Sequence, residues 1–202
     1  MDRIVFFNIA WMERYQGAVG DPPVGGGSYV KRYGFAVEMW NFQHFQGTMY
    51  GFVEAGWRPP KSINITQLGA RRTDQSVAGV LVIWVARHPK DKMTLVAGWY
   101  ENARVYRGRQ TLPPGTGRRL LNGQDAPYFV EAERQNCLLI QADMRDFQIL
   151  RATEPRAAGY KAGGIGRSNI WYAQDPYGAQ IRPQVLQYVA KWKAQRHLSV
   201  PI

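Results

Sequence analysis

The feature that most constrains the fold is Ala78-Gly79-Val80-Leu81-Val82-Ile83-Trp84-Val85-Ala86, a run without a polar side chain. It is much too short to span a bilayer. Apolar residues at both odd and even positions require cover on both faces, so the run reads as a central strand. His88-Pro89-Lys90-Asp91-Lys92 is a polar turn, and residues 94–100 return as the next strand of a hairpin, which 105–107 extends or follows. Ile4-Val5-Phe6-Phe7-Asn8-Ile9 reads as a first strand. Residues 35–42 and 50–54 are expected to pair as strands, 63–65 is a short further candidate, and 128–131 and 138–141 are later ones. Glycine and proline mark loops at 20–27, 110–122 and 157–166. A helix over about 182–196 closes the chain, with Pro183 in its first turn. Ile181, Val185, Tyr188, Val189 and Trp192 fall at helical spacing along one face. The expected architecture is α+β, a single domain over 1–202, with a mainly antiparallel sheet curled toward a barrel and helices at its margin.

Charge sets the function classes. Lys+Arg number 26 against 15 Asp+Glu, a formal net charge of +11. Such a field concentrates polyanions and gives salt-sensitive affinity for phosphate backbones. The arginines are scattered through loops rather than gathered on an amphipathic helix, which ranks a membrane surface below nucleic acid as partner. The single cysteine, Cys137, lies in an apolar run and reads as a small buried hydrophobe. Asp2 and Arg3 precede only a short apolar run, so no secretory signal is read and a cytoplasmic location is expected.

Catalytic signatures are missing. His44, His88 and His197 are far apart, with no metal-ligand spacing and no HNH-type nuclease motif. There is no Glu-x-Lys or Asp-x-Lys tripeptide, no Gly-x-Ser-x-Gly and no P-loop; Gly163-Gly164-Ile165-Gly166 resembles a phosphate-cradling loop only loosely. The expectation is a binding protein that uses neither cofactor nor metal. A nuclease or base-processing site would have to be assembled from scattered carboxylates such as Glu38, Glu54, Glu101 and Asp175.

Aromatic residues, including 7 Trp and 11 Tyr, recur beside amides and polar loops. Trp84 and Trp192 belong to apolar faces and read as core. Trp11 follows the first strand, Trp40-Asn41-Phe42 and Trp99-Tyr100-Glu101-Asn102 sit on strands, and Ser168-Asn169-Ile170-Trp171-Tyr172 follows a glycine-rich loop. A pocket for a flat, extruded base needs such pairings: rings stack on the base and amides read its edge. Lys31, Arg32, Arg71, Arg72, Arg107, Arg109, Arg118, Arg119, Lys161 and Arg167 lie in the same loops and are the natural phosphate contacts.

Several of these strings together resemble a known family. They are Trp11-Met12 with Tyr15-Gln16-Gly17, Gly25-Gly26-Gly27-Ser28-Tyr29-Val30, Trp40-Asn41-Phe42, residues 80–86, Gly98-Trp99-Tyr100-Glu101-Asn102-Ala103 with Val105-Tyr106-Arg107, and residues 163–172. The chain is similar to the N-terminal domain of HNH-type modification-dependent restriction endonucleases, and more broadly to the PUA-like superfamily of EVE, YTH, ASCH and SRA domains. Gly98-Trp99-Tyr100 is the most EVE-like piece. The resemblance implies a curled β-barrel with flanking helices that extrudes N6-methyladenine or a 5-modified cytosine from double-stranded DNA into an aromatic pocket. Carried onto this sequence, the pocket residues are Trp11, Trp40, Asn41, Trp99, Tyr100, Asn169 and Trp171. No HNH module follows Ile202, so cleavage would fall to a separate nuclease domain or subunit. Two alternatives stand beside this reading: an RNA-binding PUA-like domain, and an enzyme with an unrecognised site.

Overall fold

In the computed structural model, which describes residues 3–56, 61–152, 154 and 157–202, strand β1 (Ile4–Ile9) lies parallel to β4 (Ser76–Arg87). Strand β5 (Thr94–Thr111) returns antiparallel to β4, and both β6 (Pro127–Glu133) and β7 (Cys137–Ile140) pair with it. A small hairpin, β2 (His44–Phe45) and β3 (Thr48–Gly51), joins through β3 to β6, while β8 (Ile170–Trp171) adds to β1 and β9 (Ser199–Val200) to β7. Two α-helices are present among the described residues, α1 (Gly27–Tyr33) and α2 (Pro176–Ala194). The result is α+β with a mostly antiparallel sheet.

The sheet does not close into the expected barrel. Its path runs β2-β3-β6-β5-β4-β1-β8, with β7 and β9 branching from β5. Closure would require the end strands to pair. Here each end strand, β2 and β8, is two residues long.

Side-chain alternation on the central strands builds a core on each face. Val5, Phe7, Trp84 and Tyr100 point to one side; Ile4, Phe6, Ile83 and Trp99 point to the other, where α2 covers them with Ile181, Val185, Val189 and Trp192. Gly98 is obligatory here, because a Cβ at this position would lie 2.3 Å from the carbonyl oxygen of Leu138 on β7.

Three expected elements differ. Residues 35–42 are not a strand: Val37–Trp40 form a 3-10 turn. The reason lies next to it, where the Asn41 amide donates to the Phe52 carbonyl (2.9 Å) and accepts from the Phe52 N–H (2.8 Å). That side chain takes the main-chain groups a partner strand would have used. Residues 63–65 do not form a strand either; Ile63 donates to the Arg107 carbonyl and Ile65–Leu68 turn as a 3-10 segment. Helix α2 begins earlier than residue 182, because Asp175 caps it by accepting from the Gly178 N–H and Pro176 opens its first turn. Pro183 consequently lies inside the helix. Among the described residues, no helix is long and apolar enough to cross a membrane.

Candidate functional site

At the end of β1 the chain passes from sheet to an ordered loop. Asp21 organises it by accepting from the N–H groups of Glu13, Arg14 and Tyr15 at 2.7, 2.7 and 3.0 Å. The buried Arg145 reaches in from a distant segment and donates to the carbonyls of Ile140, Met12 and Glu13. Its guanidinium lies 4.7 Å from the Trp11 ring, which also meets His88 edge-on at 4.8 Å. Trp11 is therefore held rigidly, 7% exposed, with its backbone paired to Val24.

This loop forms one wall of a cavity of about 440 Å³. Asn8, Trp11, the glycines 25–27, Arg87, Arg151 and Asn169 line it. A second cavity, of about 390 Å³, has a more apolar wall that includes Tyr29, Phe35, Phe52 and Pro127, with Lys61 and Arg109 at its rim. Gly26, Glu38 and Glu54 belong to both, so the two are lobes of one cleft divided by a pair of carboxylates.

The carboxylates are neutralised differently. Glu54 stands beside two cations, with Lys61 Nζ at 3.0 Å and Arg109 at 3.6 Å. Glu38 has no ion pair among the described residues. Burial pushes its pKa up to about 7, and the charge of Glu54 adds to the rise, against the opposing pull of the N–H groups of Glu38 and Ala10. Around neutrality it is thus divided between a carboxylate and a carboxylic acid that can donate a hydrogen bond.

The amides add directional groups. Asn8 donates to the Asn169 side-chain oxygen at 3.2 Å, and Asn169 donates to the Glu54 carbonyl at 3.3 Å. The side-chain oxygen of Asn8 is buried and accepts from no partner among the described residues.

Of the seven expected pocket residues, the structure brings Trp11 and Asn169 together on this cleft. Trp40 is half-buried, packs edge-on against Phe35 at 5.8 Å and lines neither lobe. Asn41 is fully buried and committed to Phe52. Trp99 and Tyr100, 1% and 0% exposed, face opposite cores. Exposing either to meet a base would forfeit about 3–5 kcal/mol of packing against a stacking gain of about 1–3 kcal/mol. They serve the core. Trp171 faces the α2 side, against Phe6 at 4.8 Å and stacked on Tyr177 at 5.7 Å, with its indole N–H donated to Asp175. Asn169, two residues earlier, lines the cleft.

The expected phosphate contacts also divide. Arg118 is 3% exposed and donates to the carbonyls of Gln43 and Tyr50, which makes it a structural tie and corrects its expected role. Arg107 is half-buried and donates to the carbonyls of Arg71 and Asp74. Arg119 pairs with Asp125. Lys31 and Arg32 are exposed on α1, whose Tyr29 and Val30 line the apolar lobe. Arg109 lies on that lobe, while Arg71, Arg72, Lys161 and Arg167 are exposed but line neither lobe.

The loose phosphate-loop likeness of residues 163–166 has an internal explanation. A Cβ at Gly163 would lie 1.8 Å from the Asp175 carboxylate, and the Gly164 N–H points at that carboxylate at 3.3 Å. The anion held by this loop is the chain's own.

Among the four scattered carboxylates, Glu38 and Glu54 share the cleft, whereas Glu101 pairs with Lys193 and Asp175 caps α2. No group of three or more His, Cys, Asp or Glu among the described residues could hold a metal ion. Arg87, Arg151, Asn8, Phe35 and Phe52 were not singled out by sequence reading. Glu38 did carry a signal, as a lone carboxylate within the apolar stretch 35–42. Comparison with known proteins found no family model, curated protein or solved structure that matches this chain.

Proposed function

We propose that this chain is a PUA-like reader of modified DNA, which takes an extruded methylated base into the two-lobed cleft and serves as the specificity module of a restriction or defence system. The observation that carries the reading is the cleft itself: aromatic walls, a carboxyl and two amides, ringed by cations on a chain of net charge +11. Bound small molecules favour concave, mostly apolar sites with a few convergent polar groups. A flipped base is held by stacking faces and edge hydrogen bonds, and its backbone by cations. The apolar lobe with Phe35 and Phe52 suits the base. The polar lobe, with Arg87, Arg151 and the three left-handed glycines 25–27, suits the sugar-phosphate.

The chain acts in this reading by binding, and strand cleavage belongs to a nuclease domain or subunit that works with it. The test is binding of one labelled duplex bearing N6-methyladenine, 5-methylcytosine or no modification, at two salt concentrations. A preference for one modified duplex that survives the higher salt is expected, since charge-driven affinity alone falls steeply with salt. Equal affinity for all three would overturn the reading.

A further inference from the structure

We propose that the exposed face of α1 is a second binding surface, a stacking platform for unpaired bases of a DNA strand that continues into the cleft. The inference rests on the nucleic-acid binding of the reading just given, and not on its preference for a modified base.

Helix α1 has a single anchor in the fold. Val30 is its only buried residue and packs with Ala10 and Ala36. Tyr29 and Tyr33, four residues apart, share one side of the helix, and they are 52% and 50% exposed. No other aromatic side chain among the described residues is as exposed. Their rings lie 4.8 Å apart, and the Arg32 guanidinium lies over the Tyr33 ring at 5.3 Å. Neither ring belongs to a hydrophobic core of the molecule.

Charge selects the occupant. The helix carries Lys31 and Arg32 and no carboxylate, and neither cation has an ion pair among the described residues. An apolar protein partner would bury both cations without a counter-charge, whereas a nucleic acid brings a phosphate with every base. Rings interleaved with cations hold single strands in this way: bases stack on the rings and the cations follow the backbone. A paired duplex keeps its base faces inside its own stack and offers the rings nothing. Tyr29 also lines the apolar lobe, which has Lys61 and Arg109 at its rim, so the platform is continuous with the cleft.

The test compares a labelled thymidine oligonucleotide with an abasic sugar-phosphate strand of the same length, at one salt concentration. The phosphates are alike, and one stacked base is worth about five- to 150-fold in affinity. Wild-type protein is expected to bind the thymidine strand at least about tenfold more tightly than the abasic one. Tyr33→Leu keeps an apolar side chain and a good helix former while removing the ring, and is expected to lose at least about fivefold of that preference. Tyr33→Phe is expected to retain it. Tyr33 lines neither lobe of the cleft, so a loss in Tyr33→Leu is a loss at α1. A readout free of any substitution is photocrosslinking of a 5-iodouracil strand to the wild type, with Tyr29 or Tyr33 expected as the attached residue in peptide mass spectrometry. Crosslinks confined to other residues, or a Tyr33→Leu variant that binds both strands as the wild type does, overturn the platform. A wild type that binds the two strands equally yet prefers a methylated duplex overturns the platform and leaves the modified-base reading intact. A wild type with the strand preference, lost in Tyr33→Leu, but with equal affinity for every duplex supports the platform and overturns that reading.

Discussion

Two glycine clusters in this chain look alike in sequence and do opposite things. Gly163 and Gly164 close over Asp175, a carboxylate that accepts from Gly164, from Gly178 and from the Trp171 indole. Every donor in reach is supplied by the chain, and no room is left even for a Cβ. Gly25, Gly26 and Gly27 border a lobe that also holds Glu38, and a Cβ at Gly25 or Gly27 would meet nothing within 4 Å. Here the glycines leave space and the carboxylate keeps capacity to spare. What a glycine-rich loop is for depends on whether the fold itself fills it.

That contrast can be broken from either side. The largest effect is expected for Gly163→Ala. The new methyl group collides with the cap carboxylate at a backbone φ of +140°, and a loss of about 4 kcal/mol or failure to fold should appear in denaturant unfolding. Next comes the pH dependence of stability from Glu38. Its folded pKa of about 7 exceeds the ordinary value of 4.5, so the folded chain binds more protons between those values. The stabilisation is full below about 4.5 and lost as pH rises through about 7, roughly 3 kcal/mol in total. Unfolding midpoints at pH 5 and 8 for wild type and Glu38→Gln check this, with a smaller pH effect in the variant. Asp175→Ala removes a helix cap and orphans the Trp171 N–H, and should cost about 2 kcal/mol. Gly27→Ala meets open space and pays only for its φ of +87°, about 1 kcal/mol by the same measurement. Smallest in stability is Arg87→Ala on the open side. It should leave the unfolding midpoint unchanged within about 0.5 kcal/mol and lower the salt slope of DNA binding by about one.

The parts of the fold that could be read from sequence are those where the period is unambiguous. Residues 78–86 and 4–9 lie in β4 and β1, and the turn at 88–92 joins two strands. Residues 35–42 misled because aromatic and branched residues favour strands in general. One amide, Asn41, satisfied the main chain of Phe52 and left the segment free to coil, and no local pattern announces such a long-range bond. The start of α2 was legible in Asp175-Pro176 and was overlooked in favour of the apolar spacing that begins at Ile181. For the site, an aromatic beside an amide proved a poor guide by itself. On β5 both Trp99 and Tyr100 are consumed by a core, one on each face of the sheet. Trp171 on β8 packs inward toward α2, while Asn169, two residues earlier and outside that strand, lines the cleft. Arg87 and Arg151 could not be anticipated, since only the fold brings the end of β4 and the segment around Arg151 to the end of β1.

The parallel pairing of β1 with β4 has a consequence for how the protein is made. Ile4–Ile9 leave the ribosome well before their partners Leu81 to Ala86, which follow 77 residues later. At about 5–20 residues per second this apolar segment stays unpaired for several seconds. The cleft residues carried by the intervening chain, from Trp11 through Glu54, cannot take their places until β4 emerges. Early synthesis is therefore the interval in which this chain most needs a chaperone. A slowed ribosome within residues 10–75 should lower the folded yield more than one slowed after residue 111, where β5 ends.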